Sequence, residues 1–359
     1  MNKVYIIAEA GVNHNGDLKL AFDLIDVAKE SGADAVKFQT FKADNLVTES
    51  AKMAKYQTQN TNSNQSQYEM LKKLELSDEE FIKISNYCSK KNIDFLSTAF
   101  DHESLEFLDK KISLKTLKIA SGELTNAPLL LDHARTQKKL IVSTGMATLE
   151  EIETALGIIA FGYLNPNKEV SPASEDDFKK AFYSKTGKEN LVQNVTLLHC
   201  TTEYPAPYSS INLNALDLMR DKFEIPIGYS DHSNGISVSL AAVSKGANII
   251  EKHFTLDKNL AGPDHKASLD PEELKMLVNE IRNIQISLGD YIKVPTAVEK
   301  KNINVARKSI VAARPIKKGE TFISSSFKFK RPGHGISPLK YWELLGQVAK
   351  KDYKENDLI

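Results

Sequence analysis

No stretch of eighteen consecutive apolar residues occurs in this sequence, so no segment reads as a helix that crosses a membrane. Met1-Asn2-Lys3 leads directly into a strand-like run, without the apolar core of a secretory leader, and no signal peptide is expected. Cysteine is scarce. Cys88 and Cys200 are the only two, too far apart to suggest a disulfide framework, which fits a reducing, cytoplasmic setting. Net charge is missing too, since 47 Lys+Arg are balanced by 47 Asp+Glu. That balance argues against a nucleic-acid coat and against a polybasic membrane anchor. The glycine-rich fingerprint that usually opens a dinucleotide-binding sheet is also absent.

What is present is a chain of 359 residues, 41% of them apolar. That is long enough for two domains, although one α/β barrel often takes about 200–250 residues by itself. The zero net charge hides a split. From Lys300 to the end there are 14 basic and 5 acidic residues, a net +9, which leaves 33 and 42, a net −9, for residues 1–299. A break of that kind suggests a domain boundary. It reads either as two solvated surfaces of opposite sign or as a basic module covering a site that handles anions.

Eight short apolar runs alternate with amphipathic stretches: Val4–Ala8, Ala35–Gln39, Ile93–Ser97, Thr116–Ala120, Leu140–Ser143, Val195–His199, Pro226–Tyr229 and Asn248–Lys252. The spacing of Leu20, Ala21, Leu24, Ile25 and Ala28 predicts a helix over Leu18–Ser31. Further helices are expected at Ser77–Lys90, Leu149–Ile159, Gly235–Lys245 and Pro271–Leu288, with starts marked by Asp17, Ser77 (Glu80 three residues on), Thr148 and Asp270. Repeated βα units with nearly continuous apolar strands predict a (β/α)8 barrel over residues 1–288, with an open doubly wound sheet as the runner-up. Residues 289–303 read as a linker, and 304–359 as a small β-rich module with turns at Lys318-Gly319 and Pro332-Gly333. Two insertions stand out. The polar stretch 42–76, with Gln57, Gln59, Asn60, Asn62, Asn64, Gln65 and Gln67, follows the second strand and is expected to roof a site. The stretch 163–191 precedes the sixth strand and is expected on the opposite, structural face.

Functional side chains of a barrel sit at the C-terminal ends of its strands. Those ends carry Glu9 with Asn13-His14, Lys37 and Gln39, Ser97-Thr98, Lys118 with Ser121 and Glu123, and Ser143-Thr144-Gly145. They continue with His199 through Tyr204, Ser230-Asp231-His232, and Glu251 with His253. His232 and His253 lie one βα unit apart, so both imidazoles can reach one divalent metal. The neighbouring Asp231 and Glu251 are carboxylates of the kind that orient ligating imidazoles. Cys200 is a candidate soft ligand or a small buried apolar residue. An inward lysine at Lys37 or Lys118 is costly unless an anion or an aldehyde needs it. Ser121-Gly122, Ser143-Thr144-Gly145 and Ser230 offer hydroxyls and N–H groups that hold phosphate, or serve as helix caps. Glu9 and Glu123 act as general acid/base or balance charge. The residues alone thus describe an enzyme that binds an anion and a divalent metal, without naming a substrate.

The strings Ala8-Glu9-Ala10-Gly11-Val12-Asn13-His14-Asn15-Gly16, Val36-Lys37-Phe38-Gln39-Thr40, Lys118-Ile119-Ala120-Ser121-Gly122-Glu123 and Ser143-Thr144-Gly145-Met146 resemble the bacterial sialic acid synthase family. So do Tyr229-Ser230-Asp231-His232, Glu251-Lys252-His253-Phe254-Thr255, Gly262-Pro263-Asp264-His265 and Lys330-Arg331-Pro332-Gly333. The resemblance covers nearly the whole chain, in order. It implies a (β/α)8 barrel followed by a module similar to type III antifreeze protein (a SAF domain), a domain-swapped homodimer, and condensation of phosphoenolpyruvate with an N-acetylmannosamine-type sugar. By the same resemblance His232 and His253 hold the metal, Mn²⁺ foremost with Mg²⁺ or Co²⁺ as alternatives. Lys37, Thr98, Lys118, Ser121, Ser143 and Ser230 match positions that bind phosphoenolpyruvate. Glu9 matches a carboxylate beside the reacting centre, and Gln39, Tyr204 and Asp264 match sugar contacts. Arg331 matches an arginine that reaches the acetyl group from the partner subunit.

The reading this resemblance favours is an N-acetylneuraminate synthase. The alternatives are a legionaminic acid synthase acting on 2,4-diacetamido-2,4,6-trideoxymannose, a Schiff-base aldolase using Lys118 or Lys37, and a carbohydrate-binding protein built on the C-terminal module. The expected partners are thus phosphoenolpyruvate, a sugar and a second copy of the chain, with no nucleic acid and no membrane.

Overall fold

In the computed structural model, which describes residues 3–54, 57–58 and 65–359, the apolar runs form eight parallel strands. They are β1 (Tyr5–Gly11), β2 (Ala35–Thr40), β3 (Asp94–Ala99), β4 (Thr116–Ile119), β5 (Lys139–Ser143), β6 (Val195–Cys200), β7 (Ile227–Asp231) and β8 (Ile249–His253). Each pairs with the next, and β8 pairs with β1 through Tyr5↔Ile249 to Glu9↔His253, so the sheet closes into a barrel. Closure is possible because every strand buries both faces and leaves no edge to protect.

Alternation sorts the strand residues into two cores. Ile6, Ala8, Val36, Phe38, Phe95, Leu117, Tyr229 and Ile250 point outward into the layer shared with the helices. Ile7, Ala35, Leu96, Ile141, Leu198 and Ile249 point inward and plug the barrel. The helices between strands start where their caps predict. Asp17 accepts from Lys19 N ahead of Leu18–Glu30, and Ser77, Thr148 and Asp270 each form a capping box with the glutamate three residues on. At the N-terminal end of the barrel, Arg282 of the helix Pro271–Leu288 reaches Val4 O (2.6 Å) and Asp34 Oδ2 (2.6 Å), tying the last helix to the first strands.

The insertion after β2 holds helices Ala43–Leu46 and Gln67–Leu74, which bury Ala43, Met70, Leu71 and Leu74 with Val12 and Phe41 in a small cluster of their own. Of its polar residues, Gln59, Asn60, Asn62 and Asn64 lie outside the described residues. The insertion before β6 supplies helices Glu175–Tyr183 and Lys185–Asn194. The first packs on Leu149–Leu164, with the rings of Phe161 and Phe178 meeting edge to face at 5.6 Å.

The chain divides into two compact units, one ending at Gly289 and the other Asp290–Ile359. The second contains the antiparallel pair β9 (Ser309–Ala312) and β10 (Phe327–Lys330) around Ile310, Ile316, Phe322, Phe327 and Tyr353. The stretch 289–303, read as a linker, is partly helical. Thr296 and Glu299 form a capping box that starts the helix Ala297–Ala306, none of whose residues is buried. It therefore spans less than an extended chain of its length. Among the described residues no helix is long and apolar enough to cross a membrane, and Cys88 and Cys200 are both free thiols.

Candidate active site

The chemistry sits one pleat repeat above the apolar plug. Ile7, Ala35, Leu96, Ile141, Leu198 and Ile249 face inward, so the residues two positions later face inward as well. Those residues are Glu9, Lys37, Thr98, Ser143, Cys200 and Glu251, joined by Lys118 and Ser230, all of them buried. Lys37 Nζ lies 2.8 Å from Glu9 Oε2 and 3.6 Å from Glu251 Oε2, and donates to Thr98 Oγ1 at 3.1 Å. Lys118 Nζ donates to Ser143 Oγ (2.6 Å) and lies 3.8 Å from Glu251 Oε1, which also accepts from Ser230 Oγ at 3.0 Å. Seven strands, all but β6, thus meet in one hydrogen-bonded network of two ammonium and two carboxylate groups.

Burial alone would neutralise these four groups, so their partners decide their charge. Burial pushes the Glu9 carboxyl up to about 7, with Lys37 pulling against it and Glu251 adding to it. Glu251 is buried as deeply, yet Lys118 and Lys37 outweigh that and hold its carboxyl below the usual range. Burial likewise works against the Lys37 ammonium, but Glu251 and Glu9 hold it above the ordinary lysine value. Lys118 falls below it, through burial and then the repulsion of Lys37. A cluster balanced in this way presents two buried lysines whose present partners are carboxylates.

Above this layer the rings of His232 and His253 stand 5.6 Å apart, and Tyr204 lies 4.2 Å from the first and edge-on to the second. His232 Nδ1 is 2.6 Å from the Thr201 carbonyl. A carbonyl only accepts, so Nδ1 carries the proton and Nε2 presents its lone pair. Burial keeps the His232 imidazole neutral, with a pKa of about 4, and holds His253 well below its ordinary value. His253 Nδ1 is buried without a hydrogen-bond partner. Two neutral imidazoles, one oriented by a carbonyl, fit a divalent ion. Among the described residues no group of three or more His, Cys, Asp or Glu side chains forms a metal cage. The imidazoles would therefore supply two positions and leave the others to substrate oxygens and water.

Several expectations change. Asp231 makes no direct hydrogen bond to an imidazole. Strand alternation sends it to the outer face, where it pairs with Lys252 at 3.1 Å. Glu251 serves the lysines, not the histidines. Glu123 is outside the network: two residues along a 3₁₀ turn from Ser121, it points elsewhere, and Oε2 accepts from Asn126 Nδ2 at 2.8 Å. Cys200 touches Ser121 Oγ at 3.1 Å, and burial pushes its thiol up, so it packs as a neutral thiol. Ser121 Oγ also accepts from Gly145 N at 3.0 Å. A Cβ on Gly145 would lie 2.8 Å from that oxygen and 3.0 Å from Cys200 Sγ, so only glycine allows this approach. Gln39 reaches Glu9 Oε1 at 3.4 Å, and Asp264 is buried with its carboxyl pushed up to about 6 by burial alone. Arg331 lies in the other unit, exposed, with Nε donating to Ala306 O at 2.9 Å.

Two contributors have a role that only the structure shows. One is the Thr201 carbonyl, a main-chain atom. The other is Asn13, whose Nδ2 donates to Phe254 O (2.8 Å) and Ser268 Oγ (3.0 Å) and so ties the end of β1 to the loop after β8.

Comparison with known proteins shows the family. Residues 24–293 match the NeuB family, and residues 307–359 match the SAF domain. The chain is 51% identical over 359 residues to the N,N'-diacetyllegionaminic acid synthase of Campylobacter jejuni, covering 100% of this chain and 99% of that one. It is 45% identical over 342 residues to the enzyme of the same name from Legionella pneumophila, covering 95% and 89%. Among solved structures, the N-acetylneuraminic acid synthetase of Leptospira borgpetersenii, in complex with citrate, superposes with a TM-score of 0.66 at 37% identity, covering 84% of this chain and 90% of that one. The chain therefore belongs to the NeuB family and is an enzyme, a C–C bond-forming transferase of the sialic acid synthase type.

Proposed function

We propose that this protein condenses phosphoenolpyruvate with 2,4-diacetamido-2,4,6-trideoxymannose and one water, which adds at carbon 2 of phosphoenolpyruvate as phosphate leaves by C–O cleavage, giving a nine-carbon 2-keto acid of the legionaminic type and phosphate. The observation that carries the reaction is the pair of buried lysines, Lys37 and Lys118, joined through Glu251 beneath two neutral imidazoles. The sugar is argued from the relatives. Two of the most similar are named N,N'-diacetyllegionaminic acid synthases, which favours this substrate over N-acetylmannosamine and moves the reading from the sialic to the legionaminic branch.

In this proposal Lys37, Thr98, Lys118, Ser121, Ser143 and Ser230 hold phosphoenolpyruvate, whose carboxylate and phosphate take over the lysines from Glu251 and Glu9. A divalent ion at His232 and His253, Mn²⁺ before Mg²⁺ or Co²⁺, supplies Lewis-acid polarisation of the sugar's aldehyde oxygen when bound. Glu9, 2.8 Å from Lys37 and with a carboxyl that titrates near neutrality, holds the proton exchanged at the reacting centre. Gln39, Tyr204 and Asp264 orient the sugar, with Arg331 added from the SAF domain of a partner subunit. Glu123, turned toward Asn126, is given no role. Bringing carbon 3 of phosphoenolpyruvate against the aldehyde carbon contributes much of the rate, since effective molarities reach ~10⁵ M or more. Two free thiols are consistent with a cytoplasmic enzyme.

The test is phosphate release from phosphoenolpyruvate against a panel of mannosamine-type sugars. The diacetamido trideoxy sugar is expected to give the highest kcat/KM, and preference for N-acetylmannosamine would return the assignment to the sialic branch. Borohydride trapping with pyruvate is expected to leave Lys37 and Lys118 unmodified. Trapping at either would favour the aldolase instead.

A further inference from the structure

The outward faces of β7 and β8 are apolar at Tyr229 and Ile250, which lie in the core beneath the helices. Two residues further along, on the same face, stand Asp231 and Lys252. They are Cα partners in the strand ladder, 0% and 1% exposed, with Nζ 3.1 Å from Oδ2. Asp231 Oδ1 also accepts from Ser233 N (2.8 Å) and Ser233 Oγ (2.7 Å), and Oδ2 from Ser239 Oγ (2.6 Å) on the helix Ser237–Ser244. Lys252 donates in addition to the Ser233 carbonyl. The pair lies on the face opposite the network of Lys37, Lys118, Glu9 and Glu251, so the proposed chemistry makes no use of it.

Its place in the chain is what matters. Asp231 precedes His232, and Lys252 precedes His253. The cross-strand bond therefore closes directly behind the two imidazoles. The turn from Asp231 to Ser233 also brackets His232, whose own carbonyl accepts from Ala206 N at 2.8 Å. A buried ion pair is a poor source of net stability, because apolar residues of similar volume often do as well without the cost of desolvation. One repeat earlier these strands do use uncharged residues, Tyr229 and Ile250. What a charged, hydrogen-bonded pair supplies and an apolar contact does not is direction, since an apolar contact slides where this bond must stretch.

We propose that the Asp231–Lys252 pair is a positioning device that holds the ends of β7 and β8 so that His232 and His253 meet at the separation one divalent cation requires. This rests on the reading that those two imidazoles hold the ion.

The decisive variant is Asp231→Asn/Lys252→Met in the full chain. Asparagine keeps an acceptor for Ser233 N, methionine keeps an unbranched side chain one atom shorter, and no charge is left unpaired. Mn²⁺ binding would be followed by electron paramagnetic resonance on metal-free protein, phosphoenolpyruvate binding by calorimetry without metal, and the fold by thermal unfolding. The expected result is a Mn²⁺ dissociation constant raised about 10- to 100-fold, with phosphoenolpyruvate affinity and unfolding midpoint unchanged. Unchanged Mn²⁺ affinity overturns the proposal. So does a parallel loss of affinity for both ligands, which would mean that the whole barrel had loosened. If the double variant does not fold, Asp231→Glu keeps both charges and moves the carboxylate by one methylene. Weaker Mn²⁺ binding with phosphoenolpyruvate binding retained supports the proposal, and unaltered Mn²⁺ binding overturns it. Mn²⁺ binding that survives His253→Ala overturns the metal reading itself, and this inference with it.

Discussion

Glu251 lies between Lys37 and Lys118, its Oε2 3.6 Å from one ammonium and its Oε1 3.8 Å from the other. One carboxylate thus serves two buried cations on strands that are not neighbours of its own. Its removal is felt at both, and more at Lys118, whose charge burial already disfavours.

In Glu251→Gln, Lys118 loses the largest influence holding its proton on, so it is expected to deprotonate at lower pH than in the wild type. Phosphoenolpyruvate affinity should then fall off on the alkaline side earlier, which titration calorimetry between about pH 6 and pH 10 reads directly. Lys118→Met should abolish that limb and weaken binding about 10- to 100-fold, the value of a charge-assisted hydrogen bond. An alkaline limb that stays in place would show that Glu251 does not sustain the lysine's charge.

His232→Ala and His253→Ala should each abolish turnover while leaving the circular dichroism spectrum intact, because one remaining imidazole holds the ion too weakly. Full activity of either variant in excess chelator would remove the metal from the mechanism.

Arg331→Ala should raise KM for the sugar about tenfold or more and leave phosphoenolpyruvate binding alone, as expected for one hydrogen bond to an acetyl oxygen. Mixed with His232→Ala under conditions of proven subunit exchange, it should regain part of the activity, since some heterodimers would pair an intact barrel with an intact module. No recovery would place the arginine in its own subunit's site or outside the site altogether.

Arg282→Ala should cost about 1–3 kcal/mol, since it frees the Val4 carbonyl and leaves Asp34 with a weaker set of partners. Burial works to raise the Asp34 carboxyl, but Lys3, Ile6 N and Arg282 together hold it below its ordinary 3.8. Its contribution is therefore present above about pH 4 and lost as the pH falls through the folded-state value. Chemical denaturation at pH 7 and pH 3 should show the wild type and Arg282→Ala converging at the lower pH. A constant difference would mean that the pair with Asp34 contributes nothing.

The eight strands, the helix starts at Asp17, Ser77, Thr148 and Asp270, and the inward face bearing Glu9, Lys37, Lys118 and Ser230 were all legible in the sequence. Each follows from local rules: a two-residue repeat, a cap geometry, a charged residue where an apolar one belongs. Partnership was not legible. Alternation predicts that Asp231 and Ser230 face opposite ways, but only the closed barrel makes Lys252 the partner of one and Glu251 the partner of the other. Glu123 sits as close to its motif as Ser121 does, and one 3₁₀ turn separates them in direction. The Thr201 carbonyl that sets the His232 tautomer belongs to the main chain, which no residue type marks. The sequence by itself determined which side chains stand at the strand ends. Tertiary structure decided which charge meets which, because that depends on ring closure bringing β1 beside β8 and on strand register, long-range distances that no local pattern encodes.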